Sequence, residues 1–452
     1  MLLIYNSTLL GQTILTSFPL DLKNSKESKQ ILNVENSRTH DVFVFVTDQK
    51  SITILKYNSA LFLTDQFTGP LINSDCKLLI GYSFSEDGNP TLYWSSQGFR
   101  NILIIKYNLK NKTYKILNFK SPFSNQYVIT QFQTDNLFYI LTIEKFEQAL
   151  IVYTFRNEKV EQKIFDFSSF KFQEKNTQFV TFNQLIWANP IEKIEVDDYN
   201  PVFKSTKKNK VYMLKDHIIL TLDHNPKKTQ VFDIDLESDD LNEKNFIQPI
   251  IQEPKTISNS FYQNGKLYQI NASESELLLD IKDYNANQTI KSVKVSKNDT
   301  IRFKNSPLVI QKNNEKPTEL KKTKKFLQHL FLLDIGLSVF KNEQNTFITI
   351  VGTPKIENTD NLSYLDNTFF EWNFPSIHHA ESVYFESILD RNFEFVQQED
   401  KPLAIDNIFY FLSINKKATS TNILKFKDYY ILGYYDNTTK QYIMRKFTDG
   451  FN

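Results

Sequence analysis

Six histidines, one cysteine and two acidic runs are the residues of this 452-residue chain whose types allow metal, nucleophilic or acid–base chemistry. The histidines are His40, His217, His224, His329, His378 and His379. His217 and His224 flank an apolar run that reads as a strand, and the ends of such a strand lie roughly 20 Å apart, too far to share a metal ion. His378 and His379 are adjacent, with Glu381 two residues on. On a strand, neighbouring side chains point to opposite faces, so this pair does not converge locally. Convergence between distant elements would make His378 or His379 the first ligand to consider. There is no H-E-x-x-H spacing. Cys76 is the only cysteine, which excludes an intrachain disulfide and an all-cysteine metal site. In NSDCKLLIG it reads as a buried or strand-flanking thiol. The expectation is a protein with no tightly bound metal and no redox cofactor.

The acidic residues are Glu192, Glu195, Asp197 and Asp198 in IEKIEVDDYNP, and Asp233, Asp235, Glu237 and Asp239 in VFDIDLESDD. Alternating carboxylates would suit Ca²⁺, but calcium loops use a tight turn with Gly, and neither run contains one. Both read as solvated edges, where charge also blocks edge-to-edge aggregation. The nucleophile elbow G-x-S-x-G, the dinucleotide turn G-x-G-x-x-G and the P-loop are absent. Paired glycosidase carboxylates would come from separate elements, so sequence spacing does not report them. Two aromatic groups stand out: Tyr93, Trp94 and Phe99, and Phe369, Phe370, Trp372 and Phe374. If exposed, such rings grip peptides or stack on sugars; if buried, they are core.

The elements that must position these residues are strands. DVFVFVTD, SITILKY, NILIIKY, LFYILTIE, HIILTLDH, KLYQINA, FITIVGT and YYILGYYD are β-branched and aromatic, with Asn, Asp, Gly or Lys at their ends. Five segments share a layout of strand, Asn- or Asp-bearing turn and second strand: NILIIKYNLKNKTYKILNF, ALIVYTFRNEKVEQKIFDF, TQVFDIDLESDDLNEKNF, ELLLDIKDYNANQTIKSVKV and YYILGYYDNTTKQYIMRKF. Asn and Asp tolerate the left-handed turn and close hairpins. Repeated hairpins that cannot bury their apolar faces alone predict a radial β architecture, each pair being the outer half of a propeller blade. Anchors near Val42, Leu79, Leu137, Ile219, Leu267, Ile348 and Tyr430 are unevenly spaced, so the long gaps hide a further blade or an insertion. The fold class expected is all-β: an irregular β-propeller of about 6–8 blades with one inserted helix. Tandem β-sandwiches are the alternative. The helix is placed near 317–334, where Leu320, Phe326, Leu327, Leu330, Phe331 and Leu333 share a face. Lys321, Lys322, Lys324 and Lys325 lie at its start. Packing over a sheet with the lysines solvated is the expected role, and a membrane-surface helix the alternative.

Composition bounds the partners. Lys plus Arg (53) balances Asp plus Glu (52), which gives nucleic-acid binding no support. Hydrophobic residues make up 40% of the chain, enough to build a core. No apolar run reaches the ~20 residues of a membrane-spanning helix.

The chain opens MLLIYNSTLLGQTILTSFPLDL, and LLGQTILTSFPLDL resembles the cleavage region of exported Bacteroidota proteins, in which a mature chain often starts at Gln. GQTILTSFPLDL, KYNSALFLTD, GNPTLYWSS, LTLDHNPKKTQVFDIDL, NSPLV and YYILGYYDNTTKQYIMRKF together resemble exported proteins of flavobacterial type. No activity or site residue attaches to that resemblance. It implies a periplasmic or envelope location, with 1–11 as a truncated signal-peptide remnant and 12–452 as a single propeller-like domain. The cytoplasmic alternative makes residues 2–5 and 13–18 a first strand pair. The function expected is a binding or scaffolding protein whose propeller face contacts a protein or glycan of the envelope. The alternatives are an enzyme on carbohydrate or peptide, with acidic residues at the propeller centre, and a cytoplasmic scaffold. No catalytic residue is assigned.

Overall fold

The computed structural model describes residues 12–22, 29–48, 50–72, 75–120, 123–174, 178–312, 315–355, 381–397 and 401–450. Residues 1–11, His378, His379 and the aromatic group at 369–374 lie outside them.

Seven sheets of four or five strands form the blades of an all-β propeller. Blade 1 is a meander of Gln30–Glu35, Val42–Thr47, Ser51–Tyr57 and Leu63–Pro70, from centre to rim. Blade 2 holds Leu78–Phe84, Pro90–Ser95, Asn101–Asn108 and Thr113–Lys120. Blade 3 holds Gln126–Thr134, Leu137–Glu144, Ala149–Arg156 and Lys159–Asp166. Blade 4 holds Asn209–Met213, His217–Asn225, Lys228–Asp235 and Leu241–Ile247. Blade 5 holds Ile257–Gln263, Lys266–Ala272, Glu276–Asp283 and Thr289–Ser296.

The last two blades depart from sequence order. Blade 6 runs Asp334–Lys341, Thr346–Thr353 and Glu381–Leu389, and its outer strand Val309–Lys312 comes from earlier in the chain, flanked by Thr318–Glu319. Blade 7 runs Ala418–Phe426, Tyr429–Asp436 and Gln441–Phe447, and its outer strand is Gln12–Pro19 from the start of the chain. Gln12 pairs with Phe447 and Pro19 with Gln441, so the two ends of the chain share one sheet. Residues 13–18 therefore pair in blade 7 rather than with residues 2–5.

Burial explains why the strands read as they do. Middle strands are covered on both faces by neighbouring blades: Val42–Thr47 and Pro90–Ser95 are buried throughout. Outer strands are covered on one face only, and Lys159–Asp166 and Thr289–Ser296 are mostly exposed. Ring packing is aromatic: Phe43 meets Phe84 across blades 1 and 2, Tyr93 meets Phe138 across 2 and 3, and Tyr212 meets Phe261 across 4 and 5. Blades 7 and 1 are joined by the Asn33 amide, which donates through its backbone N to Asn422 Oδ1 (2.8 Å) and through Nδ2 to Asn422 O (3.1 Å).

Among the described residues there are four α-helices where one was expected: α1 (Phe182–Ala188), α2 (Val202–Ser205), α3 (Thr323–Phe331) and α4 (Ala404–Ile414). The expected helix is α3. It buries Phe326, Leu327 and Leu330 against blade 6 and leaves Lys321, Lys322, Lys324 and Lys325 in solvent. The other three sit in the connections into blades 4 and 7. α1 starts at a capping box, with Thr181 Oγ1 accepting from Gln184 N and Gln184 Oε1 accepting from Thr181 N. No described helix is long and apolar enough to cross a membrane.

Candidate functional site

The centre of the ring is filled by the chain itself. The strand Ile191–Ile194 pairs in parallel with the inner strand of blade 4, on the edge that faces the axis. The chain then turns back through α2 to reach that inner strand. This segment touches the inner strands of five blades. Lys193 Nζ lies 5.2 Å from the Phe132 ring of blade 3. Gln263 of blade 5 donates to Val196 O at 2.6 Å. Ser338 of blade 6 donates to Asn200 O at 3.3 Å, and Lys425 of blade 7 donates to Asp197 O. Gly336 in blade 6 is obligatory for this fit, since a Cβ there would lie 2.7 Å from the Ser205 carbonyl carbon.

The first acidic run is therefore central rather than at a solvated blade edge. Its carboxylates are nevertheless held by their own chain. Glu192 pairs with Lys204 at 3.1 Å and Glu195 with Lys193 at 2.5 Å. Asp198 Oδ1 accepts from Tyr199 N (2.7 Å) and from the Tyr430 hydroxyl (2.8 Å). Burial pushes the Asp198 carboxyl above its ordinary range. These bonds tie the segment to itself and to blade 7. Asp233 and Asp235 lie on the third strand of blade 4. Asp233 meets His217 Nδ1 at 3.0 Å, and Asp235 caps the following turn through Glu237 N and Ser238 N.

A buried polar network fills the seam of blades 4 and 5. Lys210 and Asp223 have no exposed side-chain surface. The Lys210 ammonium donates to Asn259 Oδ1 at 2.5 Å and lies 3.7 Å from Asp223 Oδ2. Asp223 also accepts from Thr229 Oγ1 (2.7 Å), Gln248 Nε2 (3.3 Å), Ser260 N (2.9 Å) and Ser260 Oγ (2.7 Å). Burial drives the Lys210 amine down to about 8. The network is closed to solvent and serves the seam.

The histidines are dispersed. His40 meets Glu35 at 2.6 Å, His329 meets Glu381 at 2.5 Å, and His224 is half-buried with both ring nitrogens inaccessible and unbonded. Cys76 is buried. Among the described residues no three His, Cys, Asp or Glu side chains group to hold a metal ion.

What the surface does offer is aromatic. Tyr93, Trp94 and Phe99 are all core, at 0%, 1% and 4% exposure, because they lie in the doubly covered second strand of blade 2 and its following turn. Phe62, Tyr114 and Tyr410 are exposed elsewhere on the ring, and four further exposed rings lie near one another in the chain order: Tyr127 at 41%, Phe146 at 83%, Phe179 at 61% and Trp187 at 49%. All four come from blade 3 and the connection from it to blade 4. Trp187 on α1 packs edge-on against Tyr127 at 4.7 Å and 85°, and Lys145 Nζ lies 4.6 Å from the Tyr127 ring. α1 is fixed by Asn183, whose Nδ2 reaches Glu144 O (3.0 Å) and Glu147 O (3.0 Å) in the turn that carries Phe146. Phe182, Leu185 and Ile186 face the core while Asn183 and Trp187, four apart, face that turn. The sequence reading missed this ledge. Its one local signal was the capping box before Trp187, which sets a helix with the tryptophan off its apolar stripe.

The fold and this surface define an all-β, seven-bladed propeller with a plugged centre and an aromatic ledge on one rim. No family model and no curated protein matches the chain. Among solved structures it is similar to the WD40 domain of SCAP from fission yeast (10% identity, 98% of each chain, TM-score 0.31). It is also similar to the Dos1 propeller (10% identity, 76% of this chain and 75% of that one, TM-score 0.24). An ACO/RPE65 chimera matches over 59% of this chain and 61% of its own length, at 9% identity and TM-score 0.30. These scores are low, and the fold assignment stands on the chain's own strand pairing.

Proposed function

We propose that this protein is a binding scaffold of the cell envelope that presents the ledge of Tyr127, Phe146 and Trp187 to a partner protein. The observation that carries the reading is the exposure of these rings on a corner held by the α1 capping box and the Asn183 bonds. Exposed Trp and Tyr of this kind are the residues that dominate protein–protein binding energies, because large rigid rings bury area at low entropic cost. The central segment supports it further, since Glu192, Glu195 and Asp198 of the acidic run are each bonded within the protein. The test is binding of the purified protein to detergent-solubilised envelope proteins and, in parallel, to an array of glycans. A protein ligand that loses at least tenfold in affinity when Trp187→Ala and Phe146→Ala are combined is the expected result. A ligand that binds the double variant as tightly as the wild type overturns the reading, and a glycan ligand lost in the same variant replaces the protein partner.

The envelope location rests on the resemblance of LLGQTILTSFPLDL to an export cleavage region. A chain cut before Gln12 would retain all of Gln12–Pro19 and with it the closing strand of blade 7. Sequencing the N-terminus of the native protein should find Gln12 as the first residue. A chain starting at Met1 in the soluble cytoplasmic fraction contradicts the location.

A further inference from the structure

We propose that His224 is an acid-sensitive latch that holds the aromatic ledge in place at neutral pH and releases it in mild acid. The inference rests on the ledge reading and adds its regulation.

The geometry begins with an imidazole that has no partner. Both ring nitrogens of His224 are inaccessible and unbonded. The ring sits at the end of the second strand of blade 4, where the pairing register slips between Leu222 and Asn225. Its cover is Phe172, 6.3 Å away, in the short hairpin formed by Phe172–Gln173 and Phe179–Val180. Phe172 in turn packs on Phe182 at 5.6 Å, the first residue of α1, and the last turn of α1 carries Trp187. A line of rings thus runs from His224 to the ledge. Among the polar bonds that tie the hairpin to blade 4 are Asn225 Nδ2 to Gln173 O (3.0 Å) and Gln230 Nε2 to Lys171 O (3.3 Å).

Among the described residues no carboxylate bonds the His224 ring. The charged groups acting on it are Asp223, which favours the cation, and Lys228, which opposes it. Asp223 precedes His224 on the strand and so projects to the other face, where four donors already occupy its oxygens. From the hairpin, Phe172 supplies only a ring, and Lys171 and Glu174 flank it. Burial accordingly drives the His224 imidazole down to about 4. The linkage has a definite sign. Closed, the ring holds its proton only below about 4; swung into water, it holds it below about 6.5. The closed state is therefore fully favoured above pH 6.5 and loses ground as pH falls from 6.5 towards 4. The ring reaches water by displacing Phe172, which packs on Phe182 of α1 beside the Phe167 ring.

Hydrogen exchange of the purified full chain at pH 7.5 and pH 5.0, corrected for intrinsic rates, tests this without any partner. Peptides covering 167–174 and 178–190 should lose protection about 30-fold at pH 5.0, while 257–272 in blade 5 should hold. His224→Phe should abolish the difference, and His224→Gln, which keeps a polar side chain without a titrating group, should do the same if the phenylalanine does not fit. Protection at 178–190 that is independent of pH in the wild type, or equally pH-dependent in a His224 variant that folds, overturns the latch. The ledge as a binding surface stands or falls separately, on the affinity of the Trp187→Ala, Phe146→Ala variant at pH 7.5.

Discussion

Asp223→Ala should lower the unfolding free energy by about 3–5 kcal/mol, the cost of leaving a buried charge without its partner. The alanine strands the Ser260 hydroxyl, the Thr229 hydroxyl and one amide hydrogen of Gln248 inside a seam closed to water, and it leaves the Lys210 ammonium without its carboxylate, sharing Asn259 Oδ1 with the Ser260 amide. Lys210→Met should cost less. It leaves the Asp223 carboxylate with four donors and removes a charge that burial already disfavours, as the amine at about 8 shows. Since the folded amine titrates below its ordinary 10.5, stability from this group is complete above pH 10.5 and lost as pH falls through 8. At pH 7 the protein carries that charge at a cost, and the methionine relieves it. Urea unfolding of the two variants is the check. An Asp223→Ala protein within about 1 kcal/mol of wild type would mean that the seam opens to water, against the burial of this network.

Gly433→Ala should destabilise the closure of the ring, by about 3 kcal/mol on the scale of overpacked cores. Gly433 lies in the second strand of blade 7, and a Cβ there would stand 2.0 Å from Asn33 Nδ2 and 2.6 Å from the Tyr442 hydroxyl. Asn33 is the residue that ties blade 1 to blade 7, through Asn422 on one side and the Tyr442 hydroxyl, which donates to Asn33 Oδ1 at 2.6 Å, on the other. The methyl group must push this clamp apart. Adding Asn33→Ala should recover part of the loss, because the nearest obstacle is then gone. Thermal unfolding of the single and double variants measures both effects. A single variant as stable as wild type would show that blades 1 and 7 do not meet in this register.

Much of this fold was legible because blades repeat a local pattern. The anchors Val42, Leu79, Leu137, Ile219, Leu267, Ile348 and Tyr430 fall one in each of the seven blades. The hairpins at 101–119 and 429–447 are antiparallel as expected. Four of the five strand–turn–strand segments are the outer halves of their blades; the fifth, at Tyr429–Phe447, is the middle pair because Gln12–Pro19 takes the outer place. That swap was not legible. Nothing near Gln12 reports a partner more than 400 residues away. Among the described residues the three longest gaps hold insertions rather than a further blade: the plug with α1 and α2, then α3 with the displaced outer strand of blade 6, then α4. The ledge escaped for a related reason. Whether an aromatic side chain is core or surface depends on which blade covers it, so Trp94 and Trp187 cannot be ranked from their neighbours in sequence, although their exposures are 1% and 49%.

The central claim is that the ledge on blade 3, and not the acidic centre, is where this protein meets its partner. The most direct measurement compares two double variants for affinity towards the proposed envelope partner, as captured by the wild type. One removes the rings of Trp187 and Phe146; the other replaces Glu195 and Asp197, the most exposed carboxylates of the plug, with alanine. The account predicts a loss of tenfold or more for the first and wild-type affinity for the second. Retained binding in the ledge variant, with binding lost in the plug variant, would contradict it and return the site to the centre of the ring.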